Sequence, residues 1–171
     1  MPRTPLQGAA FLLGFWIALW LSPFGASGEP LASGRDAPYA ELEAGLHHGV
    51  NQVRTGRHLI PLERRPELDA VARAHSRDMA SRHFFDHTNP EGEVAPDRLI
   101  RAQVRGFSLA AENLGITDRP DPNREILHGW IQSEVHRKNL YAPPFNATGI
   151  GIARTPNGSL VYTQIYVTYP R

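Results

Sequence analysis

The chain has 171 residues with 41% hydrophobic and 20% charged side chains, enough apolar material for one packed domain. Its 18 cations balance 17 anions, which leaves no basic surplus for nucleic acid or for a polybasic membrane patch. Cysteine is absent. Disulfides, iron–sulfur clusters, thiolate zinc sites, cysteine nucleophiles and a lipidated N-terminal cysteine are therefore all excluded.

The N-terminus carries Arg3, then the apolar run Ala9 to Leu21, then Pro23 and Ala26-Ser27-Gly28. The run is shorter than the about 20 apolar residues that span a bilayer. A charged start, a short apolar stretch and small residues predict a secretory signal peptide over 1–28, cleaved after Gly28 or within 32–34. An uncleaved anchor is the alternative. Residues 29–38, with Gly, Pro and Ser, predict a linker, and 39–171 the domain. Export without cysteine fits a bacterial extracytoplasmic protein, with no membrane span once the signal is removed.

Within the domain, Leu42, Leu46, Val50 and Val53 recur at helical spacing and predict a first helix over 39–54, ended by Gly56. Pro66, with Glu67 and Asp69 in the first turn, opens a second helix to Arg82. Leu68, Ala72, His75 and Met79 share one of its faces. Asn89-Pro90-Glu91-Gly92 is turn chemistry. A short helical turn is expected over 97–103, then irregular chain to Leu114. Asp121-Pro122 predicts an N-cap and start for a third helix running to Asn139, and Pro143-Pro144 bars its continuation. The C-terminus reads as a hairpin, with Ile150 and Ile152 in one strand and Leu160 to Thr168 in the other. A positive-φ turn is expected at Asn157-Gly158. Trp130, Leu68, Met79 and Ile165 are expected to share one core.

Among the histidines, His47, His48, His58 and His128 read as solvated or half-buried, and His75 as a core residue with a satisfied hydrogen bond. His83 and His87 are four apart, but Phe84 stands where a zincin has its glutamate. His87, Glu112 and His136 remain as candidates for chemistry. Each also has an ordinary structural reading: a cap for His87, a buried ion pair with an arginine for Glu112, a helix C-terminal cation for His136.

Several pieces stand together in a familiar order: Asn51-Gln52-Val53-Arg54, Ala74-His75-Ser76-Arg77-Asp78-Met79 with Phe84-Phe85-Asp86-His87, Asp97-Arg98, Ala111-Glu112-Asn113-Leu114, Gly129-Trp130-Ile131-Gln132-Ser133 with His136 to Leu140, and Tyr162-Thr163-Gln164. In these the chain resembles the superfamily of cysteine-rich secretory proteins, antigen 5 and pathogenesis-related 1 proteins, in a cysteine-free bacterial form. The resemblance implies an α+β fold, an α-β-α sandwich with a small antiparallel sheet. It also implies a cleft whose two His and two Glu hold a divalent cation in some members. The first His falls on His87 and the first Glu on Glu112. The second Glu falls on Ser133 and the second His on Val161, so two of the four positions are lost.

His136, one turn beyond Ser133, is expected to face the same cleft and to complete a His87–Glu112–His136 set for zinc or another divalent cation. A metal-free hydrogen-bonded cluster of the same three is the competing expectation, and the two lost family positions weigh it slightly above the metal site. Asn113, Ser133 and Gln164 are the other expected cleft residues. The first functional expectation is a non-enzymatic, exported domain binding a lipid, glycan or protein of the cell envelope, or a divalent metal. The second is a hydrolase of peptide or glycan with Glu112 as general acid or base. Ser76 and Ser133 lack a nucleophile elbow. A ligand-free structural role in the envelope is the third.

Overall fold

A computed structural model describes residues 39–170. The expected signal segment 1–28 and linker 29–38 lie outside the described residues. The elements run α1 (Ala40–Thr55), β1 (Glu63–Arg64), α2 (Pro66–Arg82), α3 (Ala95–Arg101), β2 (Leu109–Thr117), α4 (Pro122–Gln132), α5 (Glu134–Leu140), β3 (Ala147–Arg154) and β4 (Leu160–Thr168).

The sheet order is β1-β3-β4-β2, with β2 and β3 antiparallel to β4 and the two-residue β1 parallel to β3. Helices cover both faces. On one, Leu46 and Val50 of α1 and Trp130 of α4 pack on Tyr162 and Tyr166 of β4. On the other, Leu68 and Ala72 of α2 and Leu99 of α3 pack on Ile165 and Val167. Alternate side chains of β4 thus serve opposite layers. The four residues expected in one core are all buried, but they divide between three apolar clusters: Trp130 in one, Leu68 and Ile165 in a second, and Met79 in a third.

Helix α2 approaches β3 closely. A Cβ at Gly151 would stand 2.0 Å from the Arg73 backbone nitrogen, and one at Gly149 2.1 Å from the Leu68 carbonyl carbon. Only residues without side chains allow the helix backbone to rest on the strand there. Gly158 takes φ +94° at the hairpin tip, as expected, while Asn157 is not among the positive-φ residues.

Two expectations are corrected. The stretch expected to be irregular up to Leu114 holds the first part of the edge strand β2, which runs on to Thr117. The single third helix is two, broken at Ser133 with φ −80° and ψ 123°. Arg137 Nη1 donates to the Ile131 carbonyl at 2.9 Å, so the open end of α4 is capped by a side chain from α5.

Arg54 is fully buried at the base of this layer. Its guanidinium donates to the carbonyls of Ile60, Leu140, Ala142 and Phe145 at 2.9–3.1 Å, and burial holds its pKa below the ordinary arginine value. These bonds tie the end of α1 to the end of α5 and so fix α5 against β2. Around the β3 edge, Arg64 and Arg73 clasp Glu43, and Arg64 also meets Asp69, whose carboxylate accepts from the Ile150 amide at 2.8 Å.

Candidate functional site

Strand β2 builds the site because adjacent residues on a strand face opposite layers. Glu112 turns to the α2/α3 layer and Asn113 to the α5 layer. Glu112 is 7% exposed and Asn113 fully buried.

Glu112 is held from three sides. Arg98 Nη2 donates to Oε2 at 2.6 Å, and His87 Nδ1 lies 2.9 Å from Oε1. His75 Nε2 stands 3.9 Å from the same Oε1. Arg98 Nη1 also donates to the carbonyls of His87 and Glu93, at 2.9 and 2.8 Å. One guanidinium therefore fixes the carboxylate and the loop that carries His87. The hydrogen bond from Glu112 raises the His87 pKa above the ordinary imidazole value. His75 is lowered, because burial disfavours its charged form.

Asn113 organises the other wall. Its Nδ2 donates to the His136 carbonyl at 3.0 Å and to the Tyr166 hydroxyl at 3.1 Å. Asn139 Nδ2 bridges the Glu112 carbonyl and Asn113 Oδ1, at 3.1 and 2.9 Å. With the Trp130 indole donating to the Leu114 carbonyl at 2.8 Å, two outward carbonyls of the edge strand are capped. The polar row continues inward from Tyr166 to Gln164 and from Gln164 to Thr148. Gln164, expected in the cleft, is fully buried within this row.

The expected set is thus drawn together in part. His87 and Glu112 are paired. His136 is half-buried, and its pKa is lowered by burial and then by the charge on His87. Ser133 makes no capping hydrogen bond. Among the described residues no group of three or more His, Asp or Glu side chains is arranged to hold a metal ion. The donor set argues the same way: Arg98 holds Glu112 Oε2 and His87 meets Oε1, so a dication would compete with an existing partner at either oxygen. Val161, where the resemblance places a second His, is buried with Met79 and Leu114 in an apolar cluster flanked by Phe84. These residues as placed do not fit a divalent cation, and no step is derived through one. The ion pair of Glu112 with an arginine, one of the structural readings, is the one found, with Arg98. The motif residues Arg98 and Asn139 carry roles that sequence reasoning did not assign.

The family model described as "Cysteine-rich secretory protein family" matches residues 47–166, a span that contains every residue of this site. The chain belongs to the cysteine-rich secretory protein family. Its Bacillus subtilis relatives YkwD and YlbC are 32% and 31% identical over 118 residues, covering 69% of this chain and 44% and 32% of their own lengths. The chain therefore spans less than half the length of the curated relatives it matches. An extracellular SCP-domain protein of Bacillus anthracis is 31% identical with TM-score 0.63, covering 77% of this chain and 44% of that one. An outer surface protein of Borrelia burgdorferi, at 17% identity, shares the fold with TM-score 0.71 over 78% of this chain and 97% of its own. The α+β architecture of this family member is the one expected from its motifs. Among its described residues no helix is long and apolar enough to cross a membrane.

Proposed function

We propose that this domain works outside the cytoplasm of a bacterium as a binding module of the cell envelope, and that it is not a hydrolase. The observation that carries this reading is the double engagement of Glu112 by Arg98 and His87. A general acid or base must meet substrate or water at one of its oxygens. Glu112 is almost wholly buried and spends both oxygens on protein partners. The cluster instead fixes the loop of His87 and the α5 side of β2, and leaves His87, whose side chain is 51% exposed, to present a ring edge to a ligand. Export is supported by the charged, apolar and small-residue pattern of 1–28, and by likeness to an extracellular protein of Bacillus anthracis. A lipid, glycan or protein of the envelope is the ligand class this reading takes.

The test is turnover. Purified protein is incubated with cell-wall glycan and with peptide substrates, beside the Glu112→Gln variant. The reading expects no product from either. Product made by the wild type and lost in Glu112→Gln overturns it.

A further inference from the structure

Seven asparagines stand in the chain, and one is set apart from the rest. The side-chain amide nitrogens of Asn51, Asn89, Asn113, Asn123, Asn139 and Asn146 all donate to protein acceptors, at 2.7–3.1 Å. Asn157, exposed at the tip of the β3–β4 hairpin, has no acceptor for its side-chain nitrogen among the described residues. It is also the only asparagine followed by glycine, so no Cβ shields the next backbone nitrogen.

The amide is arranged for attack at its carbon. Oδ1 accepts from the Ser159 backbone N–H at 3.4 Å, which fixes it as the oxygen, and from the Thr155 hydroxyl. Of the two acceptors of that hydroxyl, Oδ1 lies closer than the Ser159 carbonyl at 3.0 Å. Donors on a carbonyl oxygen stabilise the oxyanion that forms when a nucleophile adds. The nucleophile is the Gly158 backbone nitrogen, which becomes reactive on losing its proton. Arg154 Nη1 donates to the Gly158 carbonyl at 2.8 Å and lies 4.0 Å from where a Gly158 Cβ would stand, a cation beside the developing negative charge. In the closed turn the Gly158 N–H donates to the Thr155 carbonyl at 2.9 Å. Pro156 and Asn157 are exposed, so this bond opens without disturbing the sheet.

We propose that Asn157 is a site of self-modification, converted through a cyclic imide to aspartate and isoaspartate by the Gly158 nitrogen, with Thr155 and Arg154 assisting. Water takes the Gly158 proton, and the nitrogen bonds to the Asn157 Cγ. The side-chain nitrogen takes up a proton and leaves as ammonia. Water then opens the ring at either carbonyl. The product carries a carboxylate near Arg154, on the rim of a groove of about 340 Å³ that includes Phe85 and Ile116.

The test holds the full chain at mildly alkaline pH and maps it by proteolysis and mass spectrometry, beside a free peptide of residues 153–160. Aspartate and isoaspartate should accumulate at 157 faster than in the peptide, with the other six asparagines intact. Thr155→Val and Arg154→Gln, both at the hairpin tip, should each slow conversion about threefold or more, as loss of a hydrogen-bond donor does. Thr155→Ser keeps the hydroxyl and should keep the wild-type rate. Asn157 left intact in the chain while the peptide converts overturns the proposal. So does a rate unchanged by either Thr155→Val or Arg154→Gln, or a Thr155→Ser rate as low as that of Thr155→Val.

Discussion

Arg98 Nη2 and Glu112 Oε2 are 2.6 Å apart, with the two side chains only 4% and 3% exposed. This is a buried ion pair between α3 and the edge strand β2. Its arginine also binds the carbonyl of the residue that meets the same carboxylate. Removing one partner leaves an uncompensated buried charge, at a cost of about 3–5 kcal/mol. Arg98→Met should therefore lower stability by about that amount in denaturant titration. Arg98→Met combined with Glu112→Leu should recover most of the loss. Two costs that simply add would show that the pair is not coupled.

The close approach of α2 to β3 makes glycine substitutions unequal. Gly151→Ala drives a methyl into the Arg73 backbone and should cost about 3 kcal/mol or more. Gly129→Ala, in α4 with nothing within 4 Å of the added carbon, should stabilise by up to about 1 kcal/mol. Thermal melts of the two variants should move in opposite directions.

Much of this arrangement is legible in the sequence, and the unreadable parts share a cause. Helix α2 spans the predicted residues, because Pro66 sets its start and its buried face is periodic. Strand β2 escapes because its faces bury unlike chemistry: Glu112 meets an arginine and Asn113 meets amides and a tyrosine, so apolar alternation never shows. The break at Ser133 depends on Arg137 capping α4, a contact that no local breaker residue announces. Glu112 and His87 are visible as motif residues. That Arg98 binds both, and that Gln164 turns into the sheet, are tertiary facts carried by side chains from separate elements.

Trp130 offers two separable contributions. It is 2% exposed, and its indole N–H caps the Leu114 carbonyl. Trp130→Ala should cost about 3–5 kcal/mol through the cavity it leaves. Trp130→Phe fills much of the volume but frees the carbonyl, and should cost about 1–3 kcal/mol. Equal costs for the two variants would assign the loss to the hydrogen bond and leave nothing to the packing.

His87 gives a pH dependence with a definite sign. Its folded pKa is raised, first by the Glu112 hydrogen bond. The added stability is therefore fully present below the unfolded imidazole value of about 6.5 and is lost as pH rises through the folded value. Because the side chain is 51% exposed, the effect is discounted to about 0.5 kcal/mol. The stability gap between wild type and His87→Ala should be wider at pH 5.5 than at pH 8.5, as read from denaturant midpoints. A gap that widens toward high pH would reverse the assignment.

The most direct measurement of whether Glu112 is held as a structural anchor is a zinc titration by calorimetry at neutral pH, on wild type and Glu112→Gln, with melting curves in zinc and in chelator. A carboxylate spent on Arg98 and His87 predicts no saturable zinc heat from the wild type. It also predicts that Glu112→Gln melts lower by the same margin with and without metal, because Arg98 is left poorly paired. Saturable zinc binding by the wild type that disappears in Glu112→Gln, with the melting temperature in chelator unchanged by the substitution, would contradict the account.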